Sequence, residues 1–142
     1  MNYAAAFPIY FKYRDNQLFD DRHQNRIGYM YMSGYGVQTD YAEAIKWLKK
    51  AIEQENSDAQ NNLGYMYYMG YGVKKDKNEA VKWFKKSADQ ENSSGQYDLA
   101  DMYENGKGVE KDINKAKELY QKSAKQGLKN AQDACNHLGI TY

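Results

Sequence analysis

Proline and cysteine are nearly absent from this chain, whose 142 residues include one of each. The single cysteine, Cys135, excludes an intramolecular disulfide and a cysteine-rich metal site. Because there is only one proline, other residues must form the turns. The 11 glycines are best suited to this, since glycine tolerates positive φ.

Net charge and long apolar runs are lacking as well. The chain has 20 lysines and arginines against 19 aspartates and glutamates, a formal net charge of +1, which disfavours nucleic acid and anionic membranes as partners. No segment approaches the roughly 20 apolar residues of a membrane span, and the apolar stretch 3–11 lacks the basic leader of a signal peptide. We therefore expect a soluble, cytoplasmic protein. A secreted protein whose leader has been removed would have the same sequence, and that alternative stays open.

What the chain does contain is a pattern that recurs every 36 residues. The stretch YMSGYGVQTD at 31–40 returns as YMGYGVKKD at 68–76. Three columns of the repeat are Gly34, Gly70 and Gly106; Asp40, Asp76 and Asp112; and Trp47, Trp83 and Leu119. A period of this length predicts a solenoid, in which each unit buries its apolar face against its neighbours.

Each repeat contains two amphipathic helical patterns, which we call helix A and helix B. In the second repeat, helix A carries apolar residues at Ala59, Leu63 and Met66. Helix B of the first repeat carries Ala44, Trp47, Leu48 and Ala51 on one face. The residues predicted to cap these helices are Asp21, Ser57 and Ser93 for helix A, and Asp40, Asp76 and Asp112 for helix B.

The paired glycines Gly34 and Gly36 could be interpreted as a phosphate-binding loop, but their context argues against it. Such a loop joins a strand to a helix and continues with a lysine and a hydroxyl residue. Here a helical pattern precedes the glycines, and Asp40 stands where an anion would bind. We interpret the glycines as the end of helix A and the turn into helix B.

The segment AQNNLGYMYYMGYGVKKDKNEAVKWFKKSA at 59–88, with its copies on both sides, closely resembles the Sel-one-like repeat (SLR) family, a relative of the tetratricopeptide repeats. The resemblance implies an all-α fold, a right-handed superhelical solenoid of antiparallel helix pairs. It also implies a protein that holds other proteins as an adaptor or scaffold. The third repeat departs from the pattern at Gly95, Ala100 and Leu119, so we expect its packing to differ locally.

The repeat boundaries predict one solenoid domain over 1–142. Residues 21–56, 57–92 and 93–128 form three repeats, 1–20 a degenerate N-terminal unit and 129–142 a partial repeat with a last helix A. In the N-terminal unit, residues 3–16 align with a helix B, although Pro8 stands where Ala44 belongs.

The candidate catalytic and metal-binding residues have simpler structural explanations. His23 and His137 lie on the first and last helix A, too far apart along the repeat to share a site. Cys135 aligns with Leu63 and Leu99, so we expect it to be buried as a small apolar residue. We therefore predict no catalytic residues, no metal and no cofactor, and a protein that is not an enzyme.

The 15 tyrosines are the feature most suggestive of binding. Those on the core stripe of helix A, such as Tyr31 and Tyr67, are expected to serve packing, together with the methionines beside them. In related helical repeats the opposite side of helix A lines a concave groove, where amphipathic aromatics can anchor a partner. The residues predicted to line this groove are Asn25, Tyr29, Met32, Asn61, Tyr65, Tyr68, Tyr97, Asp101 and Glu104.

The composition of these positions suggests what would bind. The first two repeats offer tyrosine and methionine, and the third offers Asp98, Asp101 and Glu104, which favours an apolar or aromatic segment of a protein or peptide with a basic end. Tyr35 and Tyr71, with Lys107 in the third repeat, lie at the loop edge and extend this patch. The alternative function is self-assembly, with a homodimer formed through the terminal helices.

Overall fold

The computed structural model describes residues 8, 9, 12 and 20–142 of the chain. Most of the N-terminal unit predicted at 1–20, including most of the helix B alignment over 3–16, lies outside the described residues. The contacts divide the chain into two compact units, of which the first ends at Leu63 and the second runs from Gly64 to Tyr142. The single domain expected over 1–142 stays a prediction.

From residue 20 onward the described residues form seven helices and no strand. Their bounds are α1 Asp21–Ser33, α2 Tyr41–Ile52, α3 Ser57–Met69, α4 Lys77–Asp89, α5 Ser93–Asn105, α6 Ile113–Lys125 and α7 Lys129–His137. Helices α1, α3 and α5 are helix A of the three repeats, and α2, α4 and α6 are helix B. Helix α7 is the predicted last helix A and packs on α6.

The loop from helix A to helix B repeats the same backbone hydrogen bonds in each repeat. In the third repeat Gly106 has φ of +60°, and its N–H donates to the Met102 carbonyl. The next residue, Lys107, also donates to Met102 O at 3.0 Å, and Asp112 N donates to Tyr103 O at 2.9 Å. This left-handed helix end requires glycine, so the prediction that Gly34, Gly70 and Gly106 close helix A is confirmed.

The capping predictions were right for helix B and wrong by one residue for helix A. Asp112 accepts from Lys115 N at 3.0 Å, and Asp40 and Asp76 cap their helices in the same way. Helix A begins one residue earlier than expected, so the caps are Asp20, Asn56 and Asn92 in place of Asp21, Ser57 and Ser93. Asparagine at this position can also donate, and Asn56 Nδ2 does so to Asp21 Oδ2 at 2.6 Å.

Close approach between helices A and B depends on the glycine in the middle of helix A. A Cβ at Gly64 would lie 2.8 Å from two ring carbons of Phe84. At Gly28 it would lie 2.8 Å from Leu48 Cγ. Large apolar residues of helix B therefore pack directly against the backbone of helix A at these two glycines. The expected difference in packing at Ala100 of the third repeat stays a prediction.

The core of residues 64–142 consists of two adjoining clusters. One contains Phe84, Leu99 and Met102, with Tyr67 and Tyr103 packed against it. The other contains Tyr120, Ala131 and Cys135, so α7 buries its small residues against α6. Cys135 is fully buried as predicted, and this burial raises the pKa of its thiol.

No helix in the part of the chain that the structure describes combines the length and apolar character needed to cross a membrane.

Candidate functional site

The residues predicted to line the groove fall in both compact units. Asn25, Tyr29, Met32 and Asn61 belong to the first unit, and Tyr65, Tyr68, Tyr97, Asp101 and Glu104 belong to the second. Of the second set, Tyr65, Tyr68 and Asp101 line one cavity.

In the first unit, Tyr29 lies beside the loop residue Tyr35, with ring centroids 6.0 Å apart. Tyr35 keeps 45% of its surface exposed, so this pair presents an aromatic edge to solvent. Asn25 has a structural partner: its Oδ1 accepts from Asn62 Nδ2 at 2.9 Å, a bond that joins α1 to α3. Asn61 is half-buried.

Met32 is the one predicted groove residue that the structure buries, with 9% exposure. The expectation that it points away from the core was wrong. Met32 follows Gly28 by one helical turn, and residues i and i+4 share a face of a helix. Since Gly28 faces Leu48 of α2, Met32 is on that same side of α1.

In the second unit, Tyr65 packs against Tyr71 in an edge-to-face arrangement, with centroids 6.2 Å apart and 39% of Tyr65 exposed. Tyr65 and Tyr68 also line a cavity of about 60 Å³ with Asp98 and Asp101. Phe84 and Met102 complete the lining. The cavity lining thus combines aromatic and apolar side chains with two carboxylates.

The third repeat replaces the tyrosine pair of the earlier repeats by an ion pair. Lys107 Nζ lies 3.0 Å from Asp101 Oδ2, and Asn105 Nδ2 donates to Asp101 Oδ1 at 2.8 Å. The lysine also lies over the ring of Tyr68, 5.6 Å from its centroid. The hydrogen bond with Asp101 raises the pKa of Lys107, so this ammonium group stays charged at neutral pH.

Tyr120 contacts two further residues of the predicted groove, Glu104 and Tyr97. Its hydroxyl donates to Glu104 Oε2 at 2.7 Å, and its ring lies 5.6 Å from that of Tyr97. Burial, together with the nearby carboxylates, raises the pKa of both Tyr97 and Tyr120. Both phenols therefore remain neutral, and the hydrogen bond from Tyr120 orients Glu104.

Two carboxylates, Asp98 and Asp101, thus line the tyrosine-lined cavity, and the Lys107 ammonium group pairs with Asp101. We call this surface the Tyr–Asp face and define it as Tyr65, Tyr68, Tyr97, Asp98, Asp101, Glu104 and Lys107. Its excess of negative charge suits a cationic group, and its ring faces suit an apolar or cationic one.

Sequence reasoning missed the roles of Lys107 and Tyr120. Lys107 was expected only at the loop edge, and Tyr120 aligns with the apolar residues Leu48 and Phe84 of helix B. The sequence signal that could have identified them is that two positions of the third repeat change together. Positions 101 and 107 hold tyrosine in the earlier repeats and Asp101 and Lys107 here. Likewise, Glu104 and the hydroxyl of Tyr120 occur only in the third repeat.

Comparison with known proteins agrees with this architecture. The model of a family described as Sel1 repeat matches residues 24–56, 57–92 and 93–128. No curated protein sequence matches the chain. Among solved structures, a Sel1 repeat protein from Oxalobacter formigenes has 38% identity and a TM-score of 0.77, over 91% of this chain and 52% of that one.

Two further structures are similar. A protective antigen of uropathogenic Escherichia coli with an SLR fold has 45% identity and a TM-score of 0.75, over 84% of this chain and 25% of that one. Cysteine-rich protein B of Helicobacter pylori has 24% identity and a TM-score of 0.69 over 92% of both chains, which shows the fold alone. The chain therefore spans about half the length of the Oxalobacter formigenes protein and a quarter of the length of the Escherichia coli antigen. The predicted all-α solenoid class is confirmed.

Proposed function

The chain belongs to the Sel1 repeat family, and from that premise we propose that its Tyr–Asp face binds a segment of a partner protein carrying an aromatic side chain next to arginine or lysine. Proteins of this family are generally scaffolds for protein interaction. The single observation that carries the proposal is the cavity in which Tyr65 and Tyr68 face Asp98 and Asp101.

The aromatic side of this cavity provides contact area at low entropic cost. Tyrosine is stiff and amphipathic, and such residues are enriched among those that dominate binding energy. Tyr65 is exposed, and Tyr68 is half-buried against the core cluster of Phe84 and Met102. A partner ring would pack on the exposed surface of Tyr65 at the mouth of the cavity, since the cavity volume of about 60 Å³ is smaller than the roughly 150 Å³ that encloses a benzene ring.

The acidic side selects the charge of the partner. Asp101 already binds Lys107 and Asn105, but a carboxylate has about four acceptor sites in its two oxygens and can accept more bonds. An arginine can donate two parallel hydrogen bonds to a carboxylate. An acidic segment would instead meet three carboxylates and is disfavoured.

A short peptide tests this proposal directly. We expect a fluorescent peptide with phenylalanine followed by two arginines to bind, while a version with glutamates in place of the arginines does not. The double variant Tyr65→Ala with Tyr68→Ala should weaken binding by about tenfold or more, since both rings are lost from the cavity. Asp98→Asn with Asp101→Asn should weaken it as well and reduce its salt dependence.

Two residues of the same types outside the face serve as controls. Tyr142 is exposed at the end of the chain, and Asp133 pairs with Lys129 on α7. Tyr142→Ala and Asp133→Asn should leave peptide affinity unchanged. If the double tyrosine variant keeps its helical content and binds the peptide as tightly as the parent protein does, the Tyr–Asp face is not the binding site.

The predicted contributions of Asn25, Tyr29 and Asn61, and self-association through the terminal helices, stay predictions. The same holds for the absence of enzymatic activity, although Sel1 repeat folds are typically non-catalytic.

A further inference from the structure

A second concave surface in residues 64–142 lies between α4, α5 and α6 and shares no residue with the Tyr–Asp face. It is a cleft of about 370 Å³ whose apolar floor includes Leu99 and Leu119 and whose rim includes Lys115, Glu118 and Lys122. We call it the Leu119 cleft. Its volume is within the range of pockets that bind small ligands or single side chains.

The cleft contains the position at which the third repeat departs from the other two. Leu119 aligns with Trp47 and Trp83, so an isobutyl group replaces an indole in the third helix B. Leu119 still packs against both core clusters of this unit. The smaller side chain leaves unfilled space above it, which the cleft includes.

In the first two repeats a lysine covers the tryptophan from three residues further on. Lys50 Nζ lies 4.5 Å from the Trp47 ring centroid, and Lys86 Nζ lies 4.4 Å from that of Trp83. The aligned lysine of the third repeat is Lys122, which follows Leu119 and lines the cleft. The third repeat has therefore kept the cation of a cation–π pair and lost the ring.

The charges around the cleft favour a neutral occupant. Lys85, Lys115 and Lys122 are matched by three acidic residues, Asp89, Glu91 and Glu118. Lys115 already lies over the Tyr103 ring, 5.3 Å from its centroid, and 3.6 Å from Asp112. A nucleic acid or another polyanion would meet no excess of positive charge here.

We propose that the Leu119 cleft binds an indole side chain presented by a partner protein, with Leu99 and Leu119 beneath the ring and Lys122 over it. The occupant would thus take the place that Trp47 and Trp83 hold in their own repeats. Tryptophan is the best of the aromatic residues for a cation–π contact, and its N–H would find an acceptor in the rim residue Glu118. This site is separate from the Tyr–Asp face and does not depend on the function proposed for it.

N-acetyltryptophanamide is a suitable probe, with binding followed by NMR of the leucine methyl groups. We expect the Leu99 and Leu119 methyl signals to shift and saturate at millimolar probe concentrations, while those of Leu63 do not move. N-acetylleucinamide should bind more weakly, since it cannot form the cation–π contact. The absence of any saturable shift at Leu99 and Leu119 would overturn the proposal.

Leu119→Trp provides the sharpest variant because it restores the side chain of the other repeats. The new indole should fill the cleft beneath Lys122, so the dissociation constant for the probe should rise by about tenfold or more while thermal stability is kept. A dissociation constant equal to that of the parent would mean that the probe binds elsewhere.

A lysine variant keeps the test decisive if Leu119→Trp does not fold. Lys122→Gln should weaken probe binding about twofold to fivefold, the range expected for an exposed cation–π contact. Lys125→Gln, a change on the same helix outside the cleft lining, is the matched control and should have no effect. Equal affinities of the two lysine variants would contradict the role of Lys122.

Discussion

The Lys107 ammonium group lies 3.0 Å from the Asp101 carboxylate, at the two repeat positions that hold tyrosines in the earlier repeats. The aromatic pairs at these positions are Tyr29 with Tyr35 and Tyr65 with Tyr71. The same two positions therefore form a contact between aromatic rings in the first and second repeats and an ion pair in the third. The exchange introduces charge while the backbone hydrogen bonds of the loop stay the same.

Lys107→Gln should increase the affinity of the Tyr–Asp face for the arginine-containing peptide by about twofold to fivefold, because it removes a competing cation from Asp101. Fluorescence anisotropy at two salt concentrations would measure this. The gain should shrink at high salt, where surface charges are screened. A weaker affinity than the parent would mean that Lys107 itself contacts the peptide.

Tyr120→Phe should destabilise the protein by about 1.5 to 3 kcal/mol, the usual contribution of a hydrogen bond to a charged group, because Glu104 loses its donor. The ring itself should fit, since Phe84 occupies the aligned position. Urea unfolding would measure the difference, with Tyr142→Phe as the exposed control. An unchanged free energy of unfolding would show that water replaces the hydroxyl at no cost.

Tyr120→Phe should also change how the free energy of unfolding depends on pH. Because the folded state raises the pKa of Tyr120, its contribution to stability is complete below the ordinary tyrosine value of 10.0 and is lost as the pH rises above it. The difference in unfolding free energy between the parent and Tyr120→Phe should therefore narrow above pH 10. A constant difference across this range would contradict the shift.

Gly64→Ala should destabilise the protein by about 1 to 2 kcal/mol, although alanine is the better helix former. The added Cβ would lie 2.8 Å from the Phe84 ring, so either the ring or the two helices must shift. In a Phe84→Ala background the same change should cost less, which chemical denaturation of the four variants would show. If Gly64→Ala cost the same free energy of unfolding in both backgrounds, the cost would not come from contact with the Phe84 ring.

Asn92→Ala should cost about 0.5 to 2 kcal/mol, while Ser93→Ala should cost less. Asn92 Oδ1 accepts from Gly95 N at 3.0 Å and caps α5, whereas Ser93 is already the first helical residue. Thermal unfolding would measure the loss of stability in each variant and so compare two neighbouring residues at the N-terminus of α5. A larger loss for Ser93→Ala would return the cap to the residue first predicted from the sequence.

Local features of the fold were predictable because they depend on residues close in sequence. The glycine-to-aspartate loop is one example: Gly106 and Asp112 perform backbone roles that few other residues can take. The helix A caps were missed by one residue, since Asn92 and Ser93 are both good cap residues and only the start of the helix decides between them.

Interactions between repeats were harder to predict. Met32 lies in the same helix as Tyr29, and the sequence placed both on the exposed side. Helix α2 covers the Gly28 side of α1, and Met32, one turn further along that side, is buried. Similarly, the bond from Tyr120 to Glu104 joins two helices, so neither residue reveals it alone.

The 36-residue period alone determined the helix pairs, the glycine turns and the aspartate caps of helix B, because each of these is built from hydrogen bonds between neighbours in the chain. Tertiary structure decided which side chains remain available to a partner. Asp101 and Lys107 neutralise one another in part, Tyr120 orients Glu104, and Leu119 leaves a cleft where two other repeats place an indole. Such outcomes depend on distances between helices, and the order of residues along one helix does not specify them.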